Sequence, residues 1–198
     1  MKLNRAERWV VNNPLRVFEQ WLEVDWLKKT MPLEEGASVL ELGCGRGAGA
    51  KLIVEAFRPS RLYAFDLDIR MIQRARDYLD PGAYEKVSLF VGDALHLPFE
   101  TGSLDAAFGF GFLHHVIDWR GALSEISRVL KTGGVYFMEE LYPAFYQNFL
   151  TKHILLHPVV DRFHSPDLRH GLEDVNMPIR KAVEYKRLGI LAVAVKRI

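Results

Sequence analysis

VLELGCGRGAG, residues 39–49, decides how the rest of the chain is read. An apolar run ends at an acid, and four glycines then fall within seven positions, Gly43, Gly45, Gly47 and Gly49. A strand feeds such a loop. Glycine is used where backbone must turn sharply and come close to a ligand. The pattern predicts a nucleotide cradle at the end of a first strand, and SVLEL (38–42) is that strand.

Outward from the loop, helical and strand patterns alternate. AGAKLIVEAF (48–57) reads as a helix, RLYAFDL (61–67) as a strand, and IRMIQRARDYL (69–79) as a helix started by Asp68. VSLFVGD (87–93) and SLDAAFGF (103–110) are strands. GALSEISRVL (121–130) is a helix stopped by Gly133 and Gly134, and VYFMEEL (135–141) is a fifth strand. Strands alternating with helices of about ten residues imply βαβ units and a parallel sheet. Strand cores apolar on both faces require helices on both sides. Upstream, PLRVFEQWLEVDWLKKT (14–30) predicts an amphipathic helix burying Phe18, Trp21, Leu22, Val24 and Leu27. Downstream, AFYQNFLTKHILLHPVVDRF (144–163) reads as a helix packed on the sheet or a cap over a hydrophobic ligand. PDLRHGLEDV (166–175) reads as a helix, and KAVEYKR (181–187) and ILAVAVKRI (190–198) as strands joined at Leu188–Gly189. The expected organisation is one domain over 1–198: a helical cap (1–36), a ligand-binding core (37–142), and acceptor-side helices with a terminal hairpin (143–198).

Composition sets outer limits. The 198 residues carry a formal net charge of +1, which offers no electrostatic footprint for duplex nucleic acid. Hydrophobic residues make up 49%, ample for a buried core. Cys44 is the single cysteine, so neither a disulfide within the chain nor a cysteine-based zinc site can be built. MKLNRAERWVVNN (1–13) lacks an apolar signal core, and no window is long and apolar enough to span a membrane, so a cytoplasmic setting is expected, with peripheral membrane contact left open.

The glycines alone fit two chemistries. Gly43, Gly45 and Ala48 match the GxGxxG/A fingerprint of nicotinamide dinucleotide sites. Asp66, about twenty residues past the loop, stands where a carboxylate accepts from ribose hydroxyls, a device that both chemistries use. VGDALHLPF (91–99) places Asp93 and Ala94 where an acid and a backbone N–H meet an adenine edge. Glu41 tips the balance. A carboxylate beside the first glycine repels a pyrophosphate but attracts a sulfonium and an ammonium group.

These motifs resemble the class I S-adenosylmethionine-dependent methyltransferases, in the broad group of ubiquinone/menaquinone-biosynthesis-like enzymes. The resemblance spans about residues 37–142. It rests on VLELGCGRG, FDLD (65–68), GDALHLPFETGSLDAAF (92–108) and FLHHVIDWRGALSEISRVLKTGGVYFMEE (112–140), in which LKTGG stands where LKPGG is usual. It implies a doubly wound, Rossmann-like α/β fold with a seven-stranded sheet, mostly parallel with an antiparallel C-terminal strand. The implied cofactor is S-adenosylmethionine and the implied acceptor a small molecule, hydrophobic or lipid-like. It further implies that Glu41, Gly43, Gly45 and Gly47 shape the pocket for the methionine portion, and that Asp66 holds the ribose. Leu67 then packs on the adenine, Asp93 and Ala94 meet its edge, and Phe110 approaches the methionine end.

Methyl transfer is an in-line displacement that asks the protein mainly for positioning, with a base only where the acceptor arrives protonated. His114 and His115 follow the fourth strand and are the candidate bases. Glu139, Glu140 and Tyr142 end the fifth strand and are candidates for the acceptor wall. His153, His157, His164 and His170 lack a carboxylate–histidine motif, so no metal site is expected. Two alternatives stay open at this level: an NAD-binding oxidoreductase and a cofactor-binding regulatory protein without turnover.

Overall fold

The computed structural model describes residues 14–79, 85–146 and 161–197. Helix α1 runs Pro14–Thr30, strand β1 Ser38–Leu42, α2 Ala48–Phe57, β2 Arg61–Asp66, α3 Ile69–Tyr78 and β3 Val87–Val91. Strand β4 (Leu104–Phe110) and a 3-10 turn (Leu113–His115) follow, then α4 (Trp119–Val129), β5 (Leu130–Leu141) and a helical turn α5 (Pro143–Tyr146). Helix α6 (Ser165–Asp174) leads into the hairpin β6 (Ile179–Glu184) and β7 (Gly189–Val195). The predicted stretch 144–163 lies largely outside the described residues.

One seven-stranded sheet has the order β3-β2-β1-β4-β5-β7-β6. Strands β1 to β5 pair in parallel, and β7 enters antiparallel between β5 and β6. This is the doubly wound, mostly parallel architecture that the alternation predicted. The two-residue period of the strands splits the core into two layers. Leu40, Leu42, Tyr136, Met138 and Ile190 face α4 and α6, where Trp119, Ile126 and Leu168 meet them. Val39, Phe108, Phe137, Leu191 and Val193 face the other way, onto α1 and α2. There Phe57, Phe108 and Phe137 pack ring on ring with centroids 4.6–5.3 Å apart.

Three local expectations need correction. Helix α1 buries Gln20, Val24 and Leu27 and leaves Phe18, Trp21 and Leu22 exposed, at 59%, 50% and 49%. Its inner stripe carries polar side chains because the end of β5 offers them partners, described below. Helix α4 ends at Val129, and LKTGG already belongs to β5. The ladder with β4 slips between Leu104 and Ala106, and the extra residues are absorbed where Gly133 turns through φ +79°. The hairpin turn is centred on Tyr185–Leu188, with Lys186 left-handed, so β6 ends earlier than Arg187.

The chain winds outward from β1 to β3 and then returns to β4 on the other side of β1. Ligands in open α/β sheets sit at such a reversal, beyond the carboxyl ends of the strands. The register Leu42↔Gly109 brings the glycine loop after β1 beside Phe110 and Gly111 after β4.

Candidate active site

The glycine loop is tied to the end of β2 by hydrogen bonds. The Cys44 N–H donates to the Phe65 carbonyl at 2.8 Å, and the Gly45 N–H donates to Asp66 Oδ2 at 3.1 Å. The Asp68 N–H donates to the other Asp66 oxygen at 2.8 Å. Asp66 is therefore aimed, and each oxygen keeps a further lone pair for a ligand. Burial pushes its pKa up, and the two amides oppose that rise. Asp68, by contrast, caps α3 through Arg70 N and pairs with the Arg70 guanidinium, so the two acids divide the roles as expected.

Gly45 turns at φ +53°, and a Cβ there would meet nothing within 4 Å, so glycine serves conformation and leaves the space over it open. Gly47 differs from its expected role. It is the N-cap of α2 at φ +89°, a Cβ on it would press on Ala75 of α3, and it lines neither of the two cavities described here. Gly49 lets the Glu41 carboxylate lie across the first turn of α2. A Cβ at Gly49 would land on Glu41 Oε1 and lie 2.8 Å from Gln20 Nε2.

Two cavities meet over this loop. The larger, about 430 Å³, is lined by Asp66, Leu67, Asp93, Ala94 and Phe110, the residues expected around a nucleoside. Met71, Phe112 and Ile117 close it, none of them foreseen. Asp93 also holds its own turn, Oδ1 accepting from the Leu95 N–H at 3.0 Å. The smaller cavity, about 330 Å³, is lined by Glu41, Glu139, Phe145 and Tyr146, with Arg16 and Gln20 from α1. Gly43, Gly45, Phe110, Gly111 and His115 form the wall common to both.

The smaller cavity is rich in buried charge. Arg16 donates to Glu23 at 2.7 Å and to Glu139 at 3.0 Å, which locks α1 onto the end of β5. Burial raises the Glu139 pKa to about 8 although Arg16 pulls it down. Burial, and then the nearby Asp66, raise that of Glu41 well above the ordinary value. Glu41 Oε2 is buried with no hydrogen-bond partner among the described residues. Arg16, Gln20 and Glu23 recur at helical spacing. That polar stripe is the signal the sequence carries, set beside an apolar stripe on the same helix.

The remaining candidates separate. His114 is buried but lines the smaller cavity, and its Nδ1 lies 2.8 Å from Glu140 Oε2. His115 stands in the common wall. Glu139 lines the smaller cavity. Glu140 and Tyr142, expected beside it, line neither. Glu140 is fully buried and accepts backbone amides, and Tyr142 packs in the core edge-on to Phe163. Two-residue periodicity explains the split, since neighbours on a strand point to opposite faces. No group of His, Cys, Asp or Glu among the described residues is arranged to hold a metal, and His153 and His157 lie outside them.

Comparison with known proteins bears on the family and the fold. A family model described as a methyltransferase domain matches residues 40–138. A sterol 24-C-methyltransferase of Aspergillus fumigatus is 34% identical over 116 residues, 58% of this chain and 30% of the relative. A demethylmenaquinone methyltransferase of Listeria welshimeri is 34% identical over 118 residues, 57% of this chain and 50% of the relative. The chain thus spans half or less of the length of these curated relatives. The crystal structure of a SAM-dependent methyltransferase from Aquifex aeolicus superposes with a TM-score of 0.76 at 17% identity, covering 98% of this chain and 99% of that one.

Proposed function

The chain belongs to the methyltransferase domain family, and we propose that it transfers a methyl group from S-adenosylmethionine to a small, hydrophobic or lipid-like acceptor. The names of the curated relatives, a sterol and a demethylmenaquinone methyltransferase, support that acceptor class. The observation that carries the reading is Glu41, whose buried Oε2 has no partner among the described residues beside the smaller cavity. A buried carboxylate without a partner is costly. A cationic ligand relieves that cost and a pyrophosphate adds to it. This favours S-adenosylmethionine over a dinucleotide.

The other residues fit the same ligand. Asp66, already aimed by two amides, would hold the ribose hydroxyls. Leu67, Ala94 and Asp93 would bracket the adenine. Glu41, with Gly43 and Gly45 leaving the backbone bare, would take the methionine end, and Phe110 would wall it. When bound, S-adenosylmethionine supplies a methyl group already activated on its sulfonium.

The chain's own contribution is placement and exclusion of water. Phe110, Phe145 and Tyr146 give the smaller cavity its apolar surface. His115, in the common wall, is the group we assign to take a proton from an acceptor that arrives protonated. His114 is held by Glu140 and supports the turn instead. The test pairs titration with S-adenosylhomocysteine and transfer of labelled methyl into demethylated quinol or sterol acceptors. Binding together with label in the lipid extract is the expected result. Absence of binding removes the cofactor assignment, and label only in polar products removes the lipid-like acceptor.

A further inference from the structure

The loop from Phe112 to Ile117 brings His115 into the wall between the cavities and sends Val116 and Ile117 over the larger one. Loops at strand ends are commonly mobile, because few partners hold their amides and carbonyls. This one is held from both sides. The N–H groups of Phe112, Leu113 and His114 donate to the Glu140 carboxylate at 3.3, 2.7 and 3.2 Å. The His114 ring adds its Nδ1 contact to the same carboxylate. From the opposite side the Arg162 guanidinium donates to the His114 carbonyl at 2.8 Å and to those of Val116 and Ile117 at 3.3 Å each.

One carboxyl group collects the loop's donors and one cation collects its acceptors. Neither Glu140 nor Arg162 lines either cavity. A fully buried carboxylate is a poor choice for stability alone, since desolvation costs several kcal/mol. Its placement gains meaning from the geometry it imposes, because hydrogen bonds are directional and one carboxyl group here gathers three successive amides. A guanidinium suits the other side, since its planar fork reaches several carbonyls at once.

We propose that Glu140 and Arg162 are positioning residues that clamp loop 112–117 from opposite sides, fix His115 at the junction of the cavities, and so set ligand affinity without touching the ligand. The inference rests on the methyltransferase reading of the site. It ties the segment before α6 to the same task as the end of β5.

The test uses Arg162→Met, Arg162→Lys and Glu140→Gln, with Lys196→Met as control. Lys196 also donates to two backbone carbonyls, those of Ser127 and Leu130, and lines neither cavity. Three readouts are taken: exchange of the loop amides, the His115 imidazole resonances, and affinity for S-adenosylhomocysteine. Arg162→Met is expected to speed exchange, shift the His115 resonances and weaken binding by roughly tenfold, the worth of one charge-assisted hydrogen bond. Arg162→Lys recovers part of each, because an ammonium still reaches one carbonyl. Glu140→Gln shifts the same resonances, and Lys196→Met changes stability alone.

Overturning the proposal takes one result: Arg162→Lys and Glu140→Gln behave like the control, with His115 and affinity unmoved. These two conservative variants decide the matter even if Arg162→Met does not fold. If the unmodified protein binds no S-adenosylhomocysteine, the methyltransferase reading fails, while amide exchange and the imidazole resonances still decide the clamp.

Discussion

Gly49→Ala is the sharpest probe of how the glycine loop and Glu41 fit together. In a helix with free space around it, alanine in place of glycine stabilises by about 0.5–1 kcal/mol. At Gly49 the added Cβ would land on Glu41 Oε1 and lie 2.8 Å from Gln20 Nε2. Both side chains are buried, so neither moves into open solvent. Overpacking of this kind costs about 1–3 kcal/mol, which outweighs the helix gain. A net loss of about 1 kcal/mol is expected, or about 2–4 °C in the unfolding midpoint at this size. In a Glu41→Ala background the main clash is gone, and the same Gly49→Ala change should turn stabilising. The assay is urea unfolding of the four proteins of this cycle. Coupling of about 1–3 kcal/mol between the two sites is expected. Additive effects, or a stabilising single Gly49→Ala, would refute the packing argument.

Other expectations concern charge. Asp66→Ala should weaken S-adenosylhomocysteine by about 1.5–3 kcal/mol in titration calorimetry, the range for hydrogen bonds to a charged group. Unchanged affinity would remove the ribose assignment. Arg16→Met should destabilise by about 3 kcal/mol above about pH 8, where it leaves Glu23 and Glu139 ionised and buried without their cation. The loss should shrink as acid protonates both, and chemical unfolding at two pH values checks this. Burial raises the pKa of Glu140 from 4.5 to about 8, and that of Glu139 moves the same way. Between those values the folded chain keeps protons that the unfolded chain releases, so stability should fall as pH rises from about 4.5 to about 8. Glu140→Gln should flatten that slope by up to about 1.4 kcal/mol per pH unit. An unaltered slope in urea titrations across the window would contradict it.

The fold was readable because its signals are local. VLELG, FDLD and VGDA each end a strand with the residue that the larger cavity uses, so Asp66, Leu67, Asp93 and Ala94 stood in the pattern before any coordinates. Long-range partnership was not readable. Phe18, Trp21 and Leu22 look like a buried face, yet Arg16 and Gln20 turn inward because Glu139, more than a hundred residues away, pairs with Arg16. Glu139 and Glu140 are adjacent acids in the sequence. Only the pleat decides that one meets the cavity and the other meets three loop amides. Gly133 and Gly134 mark a helix stop on paper. In the folded chain the helix has already ended, and the strand needs them for its slip in register.

The central claim is that the loop at 43–49 holds S-adenosylmethionine. Thermal unfolding with S-adenosylmethionine, S-adenosylhomocysteine, NAD and NADH tests it most directly. A ligand at a hundred times its dissociation constant adds about 2.7 kcal/mol, enough to raise the midpoint by several degrees. Stabilisation by the two adenosyl sulfur compounds, with none from NAD or NADH, is the result expected. Stabilisation by NADH alone, in the face of the buried Glu41 carboxylate, would contradict it.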